Sequence, residues 1–127
     1  MNKSIILLVM FFLGSDLDAS ELWSVEELKS KIDQSSETLV LLDVRTVEEF
    51  ESGRIRNSIN IPHEKLLSNI DLVSEYSNER LIVYCRSGKR ADLVINALEK
   101  NGFNNIVDIE GDILAWSQSN YPLLEKK

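Results

Sequence analysis

Apolar and polar positions along the chain follow two patterns that predict strands and helices in alternation. Continuous apolar runs at 39–42 and 81–84 predict buried strands, and shorter patterns at 58–61 and 105–109 predict two more. Between 91 and 100 the apolar positions Ala91, Val94, Ile95 and Leu98 recur at helical spacing, and Gly102 ends that helix. Weaker helical patterns are found at 24–32, 46–53, 66–76 and 113–119.

Alternating strands and helices are typical of a parallel sheet whose two faces are covered by helices. No linker or internal repeat interrupts residues 21–127. The full chain of 127 residues is long enough for one domain with its own core, and too short for two. The sequence therefore predicts an α/β fold in a single domain over residues 20–127.

Composition and charge narrow the class of protein. Hydrophobic residues make up 43% of the chain and charged residues 28%, as in a soluble globular protein. The net charge of -7 argues against nucleic acid or an anionic membrane surface as the partner. A single cysteine excludes an internal disulfide. We also expect the protein to be a monomer.

The first nineteen residues have the pattern of a signal peptide. Lys3 supplies the positive charge, and residues 5–13 are all apolar. This apolar run is too short to span a bilayer, which takes about 20 residues. We expect cleavage after Ala19 and a periplasmic or secreted protein with no stable membrane span afterwards. Cleavage after Ser15, an uncleaved anchor and a buried first element of the domain are the alternatives.

The candidate chemistry lies at Cys85, which directly follows the apolar run 81–84. The next residues form a turn with three cations and open the helix that follows: Arg86, Ser87, Gly88, Lys89 and Arg90. Main-chain N–H groups and the positive end of a helix favour an anion at such a turn, and nearby cations lower the pKa of a thiol. The alternative is a cysteine that acts as a small buried hydrophobe. The charges and the glycine favour a reactive thiolate.

Three motifs resemble those of rhodanese domains, in the family's order and spacing. The segments 41–46, 49–50, 53–55 and 57–62 resemble the first signature, 83–91 resembles the active-site loop, and 111–116 resembles the closing glycine-to-tryptophan motif. The resemblance covers nearly all of residues 21–125 and is greatest to small, exported, single-domain proteins of the phage-shock type. One departure is Glu110, where the family often has a second glycine.

The resemblance implies a rhodanese-like fold with about five parallel strands, and the chemistry of a thiosulfate sulfurtransferase. A small anionic donor such as thiosulfate passes its outer sulfur to Cys85, and the resulting persulfide passes it to cyanide or a thiol acceptor. Residues 86–90 bind the donor and the persulfide, and no metal or organic cofactor takes part. For Asp43 and Arg45, resemblance and pattern both favour an ion pair that supports the loop.

Loop length separates two chemistries that use such a cysteine. Four residues lie between Cys85 and Arg90, and position 91 is alanine. Cysteine phosphatases need five residues before their arginine, which widens the loop enough for a tetrahedral phosphate. Sulfur transfer is therefore favoured over phosphate hydrolysis. A non-enzymatic carrier that hands its persulfide sulfur to a protein partner is the second hypothesis.

Overall fold

The structure is a computed structural model that describes residues 20–34 and 38–126. Its five strands form one sheet in the order β1-β5-β4-β2-β3. All neighbouring strands are parallel, which confirms the predicted α/β architecture. The strands are β1 Glu21–Trp23, β2 Leu39–Asp43, β3 Ile59–Asn60, β4 Arg80–Tyr84 and β5 Ile106–Ile109.

Strand β4 is the centre of the sheet, with β2 on one side and β5 on the other. Its residues Leu81, Ile82, Val83 and Tyr84 are fully buried, as expected for a strand covered on both faces. Successive side chains point to opposite faces. Leu81 and Val83 therefore contribute to one apolar cluster, and Ile82 and Tyr84 contribute to the other.

Helices cover both faces of the sheet, as predicted. The cluster that contains Leu81 also contains buried side chains of α3 and α4, and the other cluster contains those of α1 and α5. A 3₁₀ segment, Ile70–Tyr76, follows α3. The α-helices are α1 Val25–Gln34, α2 Val47–Ser52, α3 His63–Ser68, α4 Lys89–Lys100 and α5 Asp112–Gln118.

Several boundaries differ from those predicted. Strand β1 was not predicted, because it has three residues and buries only Trp23. Helix α4 begins at Lys89, two residues before its first apolar position, so Lys89 and Arg90 lie inside its first turn. The weak pattern at 66–76 consists of two helical pieces, and the first of them starts earlier, directly after Pro62.

Helix α2 begins with a complete capping box. Thr46 Oγ1 accepts the N–H of Glu49, and Glu49 Oε1 accepts the N–H of Thr46. These bonds satisfy main-chain donors that the first turn of a helix leaves without partners. The box fixes Glu49 at the start of α2, where its carboxylate can also reach a neighbouring element.

The expected signal peptide, residues 1–19, lies outside the described residues. Within residues 20–34 and 38–126, no helix has the length and apolar character that crossing a membrane requires.

Candidate active site

Cys85 lies at the carboxyl end of the central strand, where the chain leaves β4 and turns into α4. Its Sγ accepts hydrogen bonds from the N–H groups of Gly88, at 3.1 Å, and Ala91, at 3.4 Å. The residue itself is 1% exposed. The loop thus directs main-chain donors at the sulfur, an arrangement that stabilises a negative charge there.

Gly88 gives this loop its shape. Its φ of 124° lies in the left-handed half of backbone space, which side chains with a Cβ rarely adopt. Gly88 also precedes the first residue of α4, and its carbonyl accepts the N–H of Asp92. The sharp turn at this glycine therefore starts the helix and brings its own N–H towards Cys85.

The main chain of the loop is hydrogen-bonded to the start of α5. The N–H of Cys85 donates to Asp112 Oδ1 at 2.9 Å. The carbonyls of Cys85 and Arg86 accept the N–H groups of Ile113 and Leu114. Asp112 was not predicted as a site residue. The signal for it was available, because β4 and β5 are parallel neighbours and a residue just after β5 must lie near the end of β4.

The three cations predicted to surround the thiol do not share one role. Arg90 makes a two-pronged ion pair with Glu49, with N–O distances of 2.6 and 3.0 Å. The hydrogen bond from Arg90 holds the pKa of Glu49 at about 2, well below its usual value. Arg86 and Lys89 are exposed, as is Ser87. The guanidinium of Arg90 is thus bound to α2, whereas Arg86 in the loop and Lys89 at the start of α4 are exposed to solvent.

The prediction that these surroundings lower the pKa of Cys85 is wrong. Burial raises the pKa of the thiol, and the nearby charge of Asp112 raises it further. The N–H groups of Ala91 and Gly88 act in the opposite direction, but the net shift is upward. The sequence indicated the cations and the helix start, whereas the loss of solvent around the sulfur depends on the whole fold.

Asp43 and Arg45 form a buried ion pair at the end of β2, next to β4. The side chains are 0% and 7% exposed, and Arg45 Nη2 lies 2.6 Å from Asp43 Oδ2. Arg45 Nη2 also donates to the carbonyl of Gly53, and Asp43 Oδ1 accepts the N–H of Arg45. Because these bonds tie the two ends of α2 to the sheet, they hold the helix that carries Glu49.

A cleft of about 430 Å³ lies between α2 and α5, beside the loop. Arg86 lines it from the loop, Glu48 from α2 and Leu114 from α5. The cleft therefore combines side chains of both charges with apolar side chains such as Leu114. Among the residues described, no group of three or more histidine, cysteine or acidic side chains is arranged to hold a metal ion.

Comparison with known proteins identifies the family. The profile of the rhodanese-like domain matches residues 24–119. A Schizosaccharomyces pombe mitochondrial protein, provisionally named a thiosulfate sulfurtransferase, is 34% identical in an alignment 99 positions long that covers 69% of this chain and 70% of that protein. The Bacillus subtilis protein YrkF, provisionally named a sulfur carrier, is 30% identical over 94 residues, which are 74% of this chain but only 49% of YrkF.

A solved structure agrees with these sequence matches. The crystal structure of a rhodanese-like domain protein from Staphylococcus aureus is 33% identical, with a TM-score of 0.72. The alignment covers 84% of this chain and 99% of that one. With a matching profile over most of its length, its three motifs and this shared fold, the chain belongs to the rhodanese-like domain family.

Proposed function

We propose that the protein is a thiosulfate sulfurtransferase and that Cys85 carries the sulfur as a persulfide. The observation that carries the proposal is the pair of N–H groups, from Gly88 and Ala91, directed at Sγ. Such donors stabilise a negative charge on Sγ, and the thiolate is the form of Cys85 that attacks the donor and that is restored when the sulfur is released.

The first half-reaction loads the cysteine. Cys85 loses its proton to solvent, and its thiolate attacks the outer sulfur of thiosulfate. A new S–S bond forms to Cys85 while the S–S bond of thiosulfate breaks, and sulfite leaves with the electron pair. Because burial raises the pKa of Cys85, the thiolate forms less readily than it does from a solvent-exposed cysteine. The rate of loading should therefore rise with pH through the neutral range.

The second half-reaction unloads the cysteine. Cyanide or a thiolate attacks the outer sulfur of the persulfide, and the S–S bond to Cys85 breaks with its electron pair on Cys85. Thiocyanate or a new persulfide leaves, and the thiolate is restored. Apart from the proton that Cys85 loses before it attacks the donor, neither half-reaction requires this cysteine to gain or lose a proton.

The remaining loop residues have separate parts in this proposal. Arg86 and Lys89 are exposed cations that attract the dianionic donor to an otherwise acidic protein. Ser87 and Gly88 contribute main-chain N–H groups that lower the pKa of the thiol. Arg90 holds the loop through Glu49, and the buried pair of Asp43 and Arg45 holds α2.

Turnover separates this enzyme from the alternative, a carrier that passes its sulfur to a protein partner. The two relatives differ on this point: the name of the Schizosaccharomyces pombe protein describes a sulfurtransferase, and that of YrkF describes a sulfur carrier. The test is thiocyanate production from thiosulfate and cyanide, with Cys85→Ser as the control. Repeated turnover by the parent alone supports the enzyme. A persulfide that forms once and is not released to cyanide supports the carrier.

We also propose that the protein is exported to the periplasm or secreted, on the basis of Lys3 and the apolar residues 5–13. The test is the mass of the full chain expressed in a bacterium with an intact export system. A mature form that begins at Ser20 in the periplasmic fraction is the expected result. A full-length form found only in the cytoplasm would contradict export.

A further inference from the structure

Asp112 combines two features that are costly for an aspartate. It is only 3% exposed, although a buried carboxylate must lose its hydration. Its φ of 54° lies in the left-handed region, where glycine fits with least strain and aspartate is tolerated. Glu110, the departure noted in the sequence, donates its N–H to the carbonyl of Trp23 at the end of β1. Of these two residues, only Asp112 has the positive φ that glycine favours.

The carboxylate of Asp112 binds the main chain at the start of the turn around Cys85 and faces the position of Gly88. Oδ1 accepts the N–H of Cys85 at 2.9 Å. Oδ2 lies 3.3 Å from the point where a Cβ on Gly88 would be. The next residue, Ile113, donates its N–H to the carbonyl of Cys85, so both main-chain polar groups of the cysteine are bound by the start of α5.

We propose that Asp112 is a positioning residue for Cys85, whose carboxylate fixes the main chain of the cysteine and whose charge sets how readily the thiol reacts. Sulfur transfer itself is the function proposed above, but the effect on the thiol does not depend on it. Asp112 is not an N-cap residue of α5, because Gly111 occupies the N-cap position and the side chain of Asp112 bonds to Cys85.

The charged groups described near this pair can be separated by experiment. Arg90 on α4 is close enough to Cys85 for the two charges to interact. Asp92 is exposed on the first turn of α4, and Asp108 lies on β5. Both are close enough to Asp112 for their charges to interact with its charge. Burial raises the pKa of Asp108 to about 6, so above neutral pH it is mostly ionised. The charge of Asp108 therefore changes little above neutral pH, where the titration of Cys85 is followed.

The test is a thiolate titration of Asp112→Asn by ultraviolet absorbance. Asparagine has the same shape, adopts the left-handed conformation and keeps an oxygen for the N–H of Cys85. Each protein is measured against its own Cys85→Ser counterpart, which removes the tyrosine signal. We expect the midpoint of Asp112→Asn to move to lower pH. Below the midpoint, its thiolate fraction should be about three to ten times that of the parent.

Asp92→Asn is the matched control, because it removes one negative charge from the same surroundings without touching Cys85. We expect its titration curve to stay close to that of the parent. If Asp112→Asn fails to fold, Asp112→Gly, which suits the same backbone, carries the same measurement. A titration midpoint equal to the parent's in the folded Asp112 variant would overturn the proposal, as would an equal shift in Asp92→Asn. A positive result would stand even if the protein transferred no sulfur.

Discussion

The ion pair between Glu49 and Arg90 should make a measurable contribution to stability, because it joins α2 to the first turn of α4, directly after the loop that carries Cys85. Its two bonds measure 2.6 and 3.0 Å, and the side chains are 30% and 24% exposed. The pKa of Glu49 falls from 4.5 to about 2, and one pKa unit corresponds to about 1.4 kcal/mol. The upper limit is thus about 3 kcal/mol, and solvent screening of a partly exposed pair reduces it to about 1–2 kcal/mol.

The contribution has a defined dependence on pH. Because folding lowers the pKa of Glu49, the folded state favours the ionised form. The stabilisation is therefore complete above the ordinary value of 4.5 and is lost as the pH falls towards about 2. We expect Glu49→Gln to unfold at lower urea concentration than the parent near neutral pH, with a free-energy difference of about 1–2 kcal/mol. That difference should shrink steadily as the solution is acidified.

Glu48→Gln is the matched control for this experiment. Glu48 is the preceding residue in the first turn of α2, so both substitutions remove one charge near the positive end of the helix. Glutamine at position 49 can still complete the capping box, which leaves the ion pair as the main loss. Urea unfolding followed by tryptophan fluorescence gives the free energies. Equal losses in the two variants, or a loss at Glu49 that does not change with pH, would refute the reasoning.

Two further predictions concern the loop and its cations. Inserting one glycine between Gly88 and Lys89 should strongly reduce thiosulfate turnover, because it widens the turn that directs N–H groups at Cys85. The wider turn can also admit phosphate-like anions, which an assay of aryl-phosphate hydrolysis detects. Unchanged thiosulfate turnover would contradict this prediction. Replacing Arg86 and Lys89 with alanine should raise KM for thiosulfate by about fivefold per residue, because an exposed charge contact contributes up to about 1 kcal/mol. Kinetics at low and high salt test it, and a KM and salt response like the parent's would show that these cations do not recruit the donor.

Local patterns in the sequence were sufficient to predict most of the fold. The run 81–84 is buried on both faces, so it is continuously apolar, and α4 shows its buried side chains at helical spacing. Cys85 follows from the same logic, because a residue directly after a central strand lies at the edge where ligands bind. Strand β1 could not be predicted, since its three residues owe their conformation to pairing with β5.

The parts of the site that depend on distant pairs were not predictable from local patterns. Arg90 and Glu49 are 41 residues apart, and Cys85 and Asp112 are 27 apart. A cluster of three cations beside a thiol indicates a low pKa only while their charges point at the sulfur. In the folded protein one guanidinium is bound to α2, an aspartate lies beside the cysteine, and burial removes the solvent that would stabilise a thiolate.

The most direct test of the central claim is the mass of the intact protein after incubation with thiosulfate. The account predicts an increase by the mass of one sulfur atom, located on the peptide that contains Cys85. The added mass should disappear on treatment with cyanide or a reducing thiol, and Cys85→Ser should gain nothing. An unmodified parent protein under conditions that keep it folded and reduced, or an equal gain in Cys85→Ser, would contradict the assignment of Cys85 as the sulfur carrier.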